Sequence, residues 1–158
     1  MTGEPWVLLV EDSPHDRELA LHALHRGQFP GRIEEARDGV EALDLLLCRS
    51  RWINRDRDDH PCAVLMDIKM PMVSGIEVLR EIRSHRDLAA VPVVILTSSA
   101  EEGDLRTCYE LGANSYVVKP VEIERFFQAV LDIGRYWATL NRSPQEKRHV
   151  VNISAVDC

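Results

Sequence analysis

Apolar residues fall in short continuous runs separated by longer segments of helical spacing. Cys62-Ala63-Val64-Leu65-Met66 reads as a buried parallel strand, and Trp6-Val7-Leu8-Leu9-Val10, Val93-Val94-Ile95-Leu96 and Ser115-Tyr116-Val117-Val118 are strand-like runs as well. Arg32-Ile33-Glu34-Glu35-Ala36 is polar and suits an edge strand. The segments between carry helix-start signals. Ser13-Pro14 is an N-cap with proline at the first helical position, ahead of an apolar face of Leu19, Ala20, Ala23 and Leu24. Asp38 before Glu41, and Ser74 before Glu77, read as capping boxes.

The predicted order is strand 6–10, helix 14–26, strand 32–36, helix 39–50, strand 62–66, helix 75–85, strand 92–96, helix 102–111, strand 114–118 and helix 121–140. Such alternation predicts an α/β fold, (βα)5, with a parallel sheet covered on both faces. Two stretches fall outside the repeat. Residues 49–60 mix both charge signs and predict a long exposed loop. Residues 141–158 follow Thr139-Leu140; Pro144 should stop helical continuation, and 150–156 show weak two-residue alternation.

Composition narrows the class. A chain of 158 residues, 45% hydrophobic and 28% charged, is expected to form one soluble domain with its own core. The net charge of -7 argues against nonspecific nucleic-acid binding, which depends on cations neutralising phosphates. Cys48, Cys62, Cys108 and Cys158 form no Cys-x-x-Cys pair, so neither zinc nor a redox motif is indicated. His22 and His25 lie three apart without an acid or cysteine to complete a metal set. No leader or membrane-spanning run is evident, and a cytoplasmic protein without membrane or nucleic-acid partners is the expectation.

The candidate chemistry lies at strand ends. Glu11-Asp12 follows the first run, Asp67 the third, Thr97-Ser98 the fourth and Lys119-Pro120 the fifth. Ligands of open α/β sheets bind beyond the carboxyl ends of the strands, so these groups should converge. Three clustered carboxylates repel, by about 1 kcal/mol per pair in water and more in a desolvated crevice. A hard cation held by oxygen ligands, Mg2+ above all, would offset that, with Lys119 adding charge from the far side. Asp67 would then be an oxygen nucleophile toward phosphorus.

Leu8-Leu9-Val10-Glu11-Asp12-Ser13, Asp67-Ile68-Lys69-Met70-Pro71-Met72-Val73-Ser74-Gly75, Leu96-Thr97-Ser98 and Tyr116-Val117-Val118-Lys119-Pro120, in this order, resemble the receiver domain of two-component response regulators over roughly 1–135. The resemblance implies a flavodoxin-like doubly wound sandwich with strand order 2-1-3-4-5. It implies phosphorylation of Asp67 by the phosphohistidine of a sensor histidine kinase, with Mg2+ bound by Asp12 and Asp67 directly, by Glu11 mainly through water, and by the Lys69 carbonyl. Thr97 and Tyr116 match the family's switch pair, and Lys119-Pro120 a peptide bond that is cis in the family. Lys69 and Ser99 match positions that tune the lifetime of the acyl phosphate, and Lys69 suggests minutes or longer.

By the same resemblance the chain is expected to be a stand-alone receiver, residues 1–140, with a C-terminal arm over 141–158, and not a turnover enzyme. The loop before the third strand and the aromatic C-terminus are similar to those of receivers paired with phytochrome-type kinases, bacteriophytochromes among them. Three rivals remain. A phosphatase of the haloacid-dehalogenase type would carry Asp-x-Asp where Asp67-Ile68-Lys69 stands, a flavodoxin-like cofactor binder would not place Glu11-Asp12 against a phosphate, and a phosphorylation-independent scaffold has no need of every chemical position.

The last helix is apolar around about half its circumference, through Ile123, Phe126, Phe127, Val130, Leu131, Ile133, Trp137 and Leu140. One sheet contact needs a stripe of roughly 100°. A second apolar face, with Phe126, Phe127, Tyr136 and Trp137 as its residues, therefore predicts a homodimer built on this helix and the arm.

Overall fold

The computed structural model describes residues 3–144. Five parallel strands, β1 (Trp6–Val10), β2 (Arg32–Ala36), β3 (Ala63–Met66), β4 (Val93–Thr97) and β5 (Ser115–Val118), alternate with helices α1 (Pro14–Arg26), α2 (Gly39–Leu46), α3 (Gly75–Ser84), α4 (Glu102–Glu110) and α5 (Ile123–Arg135). The sheet order is β2-β1-β3-β4-β5, the flavodoxin-like doubly wound arrangement. β1, β3 and β4 occupy the middle, and every residue in them is buried. The polar run 32–36 forms the edge strand beside β1, and the half-exposed β5 forms the other edge.

Alternation along each strand sends side chains to opposite faces. Leu8, Val10, Val64, Met66, Val93 and Ile95 join Leu45, Val78, Leu79 and Ile82 in one core layer beneath α2 and α3. Val7, Leu9, Leu65 and Leu96 join Ala20, Leu24, Phe126 and Val130 in the other, beneath α1 and α5. On α5 the buried residues are Phe126, Val130 and Gly134, one stripe at four-residue spacing. A Cβ on Gly134 would lie 2.8 Å from Leu24 Cδ2, so the missing side chain lets α1 and α5 approach.

Three expectations are corrected. The second helix stops at Leu46 rather than residue 50, because Cys48 and Ser50 adopt positive φ (54° and 53°), which ends the helical path before a short 3-10 turn at Ser50–Trp52. The last helix begins at Ile123 rather than 121, and beyond Arg135 it widens into an i+5 turn over Tyr136–Leu140, with the Asn141 amide donating to the Tyr136 carbonyl at 2.7 Å. There Thr139 turns its hydroxyl back onto the Arg135 carbonyl, 2.5 Å away, in competition with the backbone ladder.

The loop after α2 is mostly exposed, as expected, but it is also pinned to the sheet. The buried Trp6 indole donates to Asp59 Oδ1 at 2.8 Å, and the Arg32 and Arg55 guanidinium groups each lie 5.1 Å from the Trp6 ring centre. Arg55 also donates to the Leu45 and Asp59 carbonyls, at 3.0 and 2.6 Å. The remaining shifts of element ends are single residues.

Candidate functional site

Parallel strands deliver their carboxyl ends to one edge, and the central strands bring the acids there. Glu11 directly follows β1, and its amide still bonds the Ala36 carbonyl at 3.1 Å, so the carboxylate begins where pairing ends. Asp67 directly follows β3 with its amide on the Val10 carbonyl at 3.2 Å. Glu11, Asp12 and Asp67 each offer one carboxylate oxygen within 4.8 Å of the others. The β3–α3 loop then folds tightly over Asp67. A Cβ on Gly75 would stand 2.2 Å from the Asp67 carbonyl oxygen, so only glycine allows α3 to start here, capped by Ser74 and Glu77.

Lys119 enters from the end of β5. Its amide bonds the Thr97 carbonyl at 2.7 Å, locking the two strand ends together. Its side chain is 8% exposed, and the ammonium donates to Glu11 Oε1, to Asp16 Oδ2 at 2.8 Å and to Asp67 Oδ2 at 3.0 Å. The other Asp67 oxygen accepts the Lys69 amide at 3.3 Å. The Lys69 side chain itself is exposed.

Burial pushes the Glu11 carboxyl up to about 7, against the opposing pull of the Lys119 hydrogen bond and charge. Burial works against the Lys119 charge as well, but its bonds to Asp16 and Glu11 and the nearby carboxylates outweigh that and raise its pKa. Among the described residues, Glu11, Asp16 and Asp67 share the Lys119 ammonium and Asp12 stands beside Glu11 and Asp67, so the pocket holds more acid than that ammonium can neutralise. An all-oxygen donor set with surplus negative charge fits a hard divalent cation. Glu11, Asp12 and Asp67 are the side chains placed to hold one.

Thr97 is fully buried, and its hydroxyl accepts the Ser99 amide at 3.3 Å. The Tyr116 hydroxyl donates to the Ser99 carbonyl at 2.9 Å, and the half-buried ring packs on the α2/α3 side of the sheet. The β4–α4 loop is therefore tied at once to both members of the expected switch pair. Ser99 adds a 2.6 Å bond from its hydroxyl to Asp104 on α4. The Lys119-Pro120 peptide departs from the family pattern: there is no cis peptide bond among the described residues, and Lys119 reaches the carboxylates from a trans backbone.

Of the residues expected at a dimer contact, Phe126 is 5% exposed and lies in the core, and Phe127 packs on the same layer and stacks on His22 with ring centres 5.8 Å apart. Trp137 also packs there. Much of the apolar face, through Phe126, Phe127, Val130, Ile133 and Trp137, is used within the chain. The exposed apolar side chains around α5 are Val121, Ile123, Tyr136 and Leu140. The arm expected over 141–158 lies largely outside the described residues.

Asp16 is the site residue that motif reading missed. A signal existed, because it is the third residue of α1 after the Ser13 cap, one turn beyond Asp12, but nothing local shows that Lys119 arrives there.

Residues 7–131 match the response regulator receiver domain, and the chain belongs to that family. It is 42% identical to the probable methanogenesis regulatory protein FilR2 of Methanothrix harundinacea (strain 6Ac), over 87% of this chain and 86% of that one. Among solved structures it superposes on the phosphorylated cyanobacterial phytochrome response regulator RcpA with a TM-score of 0.83 at 33% identity, over 90% of this chain and 99% of that one. The bacteriophytochrome response regulator AtBRR is 48% identical, with a TM-score of 0.71 over 89% of this chain and 100% of that one. No helix among the described residues is long and apolar enough to cross a membrane.

Proposed function

We propose that this receiver takes a phosphoryl group from the phosphohistidine of a sensor histidine kinase onto the Asp67 carboxylate, in the cytoplasm, and signals through protein contacts rather than by enzymatic turnover. The observation that carries this reading is the position of the Lys119 ammonium, 3.0 Å from Asp67 Oδ2 and beside the Glu11, Asp12 and Asp67 cluster. A nucleophilic oxygen between a fixed cation and a divalent-ion site is the arrangement that phosphoryl transfer requires.

In the transfer an Asp67 oxygen forms the bond to phosphorus while the phosphorus–nitrogen bond breaks and its electron pair returns to the imidazole. Mg2+ bound by Glu11, Asp12, Asp67 and the Lys69 carbonyl would neutralise charge on the phosphoryl oxygens. Lys119 exchanges its Asp67 bond for one to a phosphoryl oxygen. The Thr97 hydroxyl, now accepting from Ser99, turns to donate to the new group, and the bond from Tyr116 to Ser99 makes the ring respond to that movement.

The names of RcpA and AtBRR support a phytochrome-type kinase as the donor and light as the input. A homodimer through the exposed apolar residues of α5 and its flanks supplies the protein contact. The direct test is intact mass spectrometry after incubation with acetyl phosphate, with and without Mg2+. One phosphoryl adduct is expected, dependent on the metal and absent from Asp67→Asn. Hydrolytic turnover without an adduct would overturn the proposal in favour of a phosphatase.

A further inference from the structure

An ammonium has three donors, and all three of those on Lys119 are engaged, by Glu11, Asp16 and Asp67. Two of these partners cannot stay as they are if the chain is a phosphoryl acceptor. Glu11 and Asp67 belong to the group of side chains placed to hold a cation, and Asp67 is also the acceptor. Asp16 belongs to neither: its oxygen is not part of the converging set, and its side chain is 34% exposed. It stands in the first turn of α1, where the helix N-terminus favours a negative charge, and its own amide is fixed by the Ser13 hydroxyl at 3.3 Å.

A lysine side chain is a long flexible stem carrying a point charge, and its position is only as definite as its partners make it. If both inner partners are drawn to other tasks, the remaining one decides where the ammonium sits. We propose that Asp16 is a positioning residue that anchors Lys119 at the helix α1 side of the pocket, through metal loading and phosphoryl transfer, so that the ammonium stays off the metal carboxylates and meets the incoming phosphoryl oxygen. This assignment rests on the proposed function, and concerns a residue that none of the strand-end motifs contains.

The test is a double-mutant cycle joined to a readout that needs no metal. In metal-free protein the Lys119 ammonium, held out of solvent, should give a proton–nitrogen correlation signal near neutral pH. The signal should weaken in Asp16→Ala, where Glu11 and Asp67 still hold the ammonium, and weaken less in Asp16→Asn, which keeps an oxygen acceptor without the charge. At saturating Mg2+, Asp16→Ala should slow phosphorylation by acetyl phosphate by on the order of tenfold, the weight of one hydrogen bond between charged groups. In a Lys119→Gln background the same Asp16→Ala change should slow it no further.

A general loss of α1 stability would act equally in both backgrounds. Additive losses, or an unchanged signal and rate in Asp16→Ala, overturn the assignment while leaving the proposed function intact. A wild-type chain that accepts no phosphoryl group overturns both.

Discussion

Glu11 is the residue whose chemistry most directly reports the state of the pocket. Its carboxyl ordinarily titrates at 4.5 and is raised to about 7 here, because burial outweighs the attraction of Lys119. A raised acid binds a proton in the folded chain that the unfolded chain has already lost. Its contribution to metal-free stability is therefore complete below 4.5 and disappears as pH rises through about 7. Metal binding runs the other way, since the ion needs the carboxylate. Mg2+ affinity measured calorimetrically should climb by about tenfold per pH unit up to neutrality and then level off. Glu11→Gln should weaken binding and flatten that slope. A pH-independent affinity that Glu11→Gln leaves unchanged would show that Glu11 takes no part in holding the ion.

Among the elements, the segment after α2 shows how a polar stretch can be structural. Trp6 opens β1 with 1% exposure, and its indole N–H has Asp59 as its partner, 53 residues along the chain. Asp59 also pairs with Arg32 of the edge strand at 3.0 Å, so one carboxylate ties the loop to β1 and β2 together. Replacing it with alanine leaves a buried donor without an acceptor, a loss of about 1–3 kcal/mol. Asp59→Ala should lower the urea midpoint without changing the slope of the transition, and change the emission of Trp6. Charge patterning gives the loop's exposure but not this anchor, because sequence reveals the charges and not the indole they face. The early end of α2 was hidden for a related reason: the positive φ values at Cys48 and Ser50 fall on residues that carry no strong turn signal.

For the whole molecule, α5 separates what a helical wheel can and cannot say. Its apolar half-circumference was visible in the sequence, but how much of it the rest of the chain covers depends on the depth of the groove between sheet and α1. Gly134 lets the helix sink far enough for Phe126 to join the core, with Phe127 and Trp137 packed against it. What remains outside is Val121, fully exposed, with Ile123, Tyr136 and Leu140. If these form the dimer contact, sedimentation should show concentration-dependent association. Tyr136→Glu with Leu140→Glu should yield a monomer with unchanged circular dichroism and undiminished phosphorylation by acetyl phosphate. Association that survives those changes would place the contact elsewhere.

The order of strands and helices, and the gathering of Glu11, Asp12, Asp67, Thr97 and Lys119 at one edge, were determined by the sequence itself. Short apolar runs alternating with helical segments read as parallel strands, and parallel strands end on the same side. Tertiary structure alone decided which groups share a proton or a hydrogen bond across that edge. Asp16 meets a lysine 103 residues away, and Trp6 meets an acid from a distant loop. Periodicity encodes the face on which a side chain lies; the partner it finds there depends on how separate segments pack, and no local pattern carries that information.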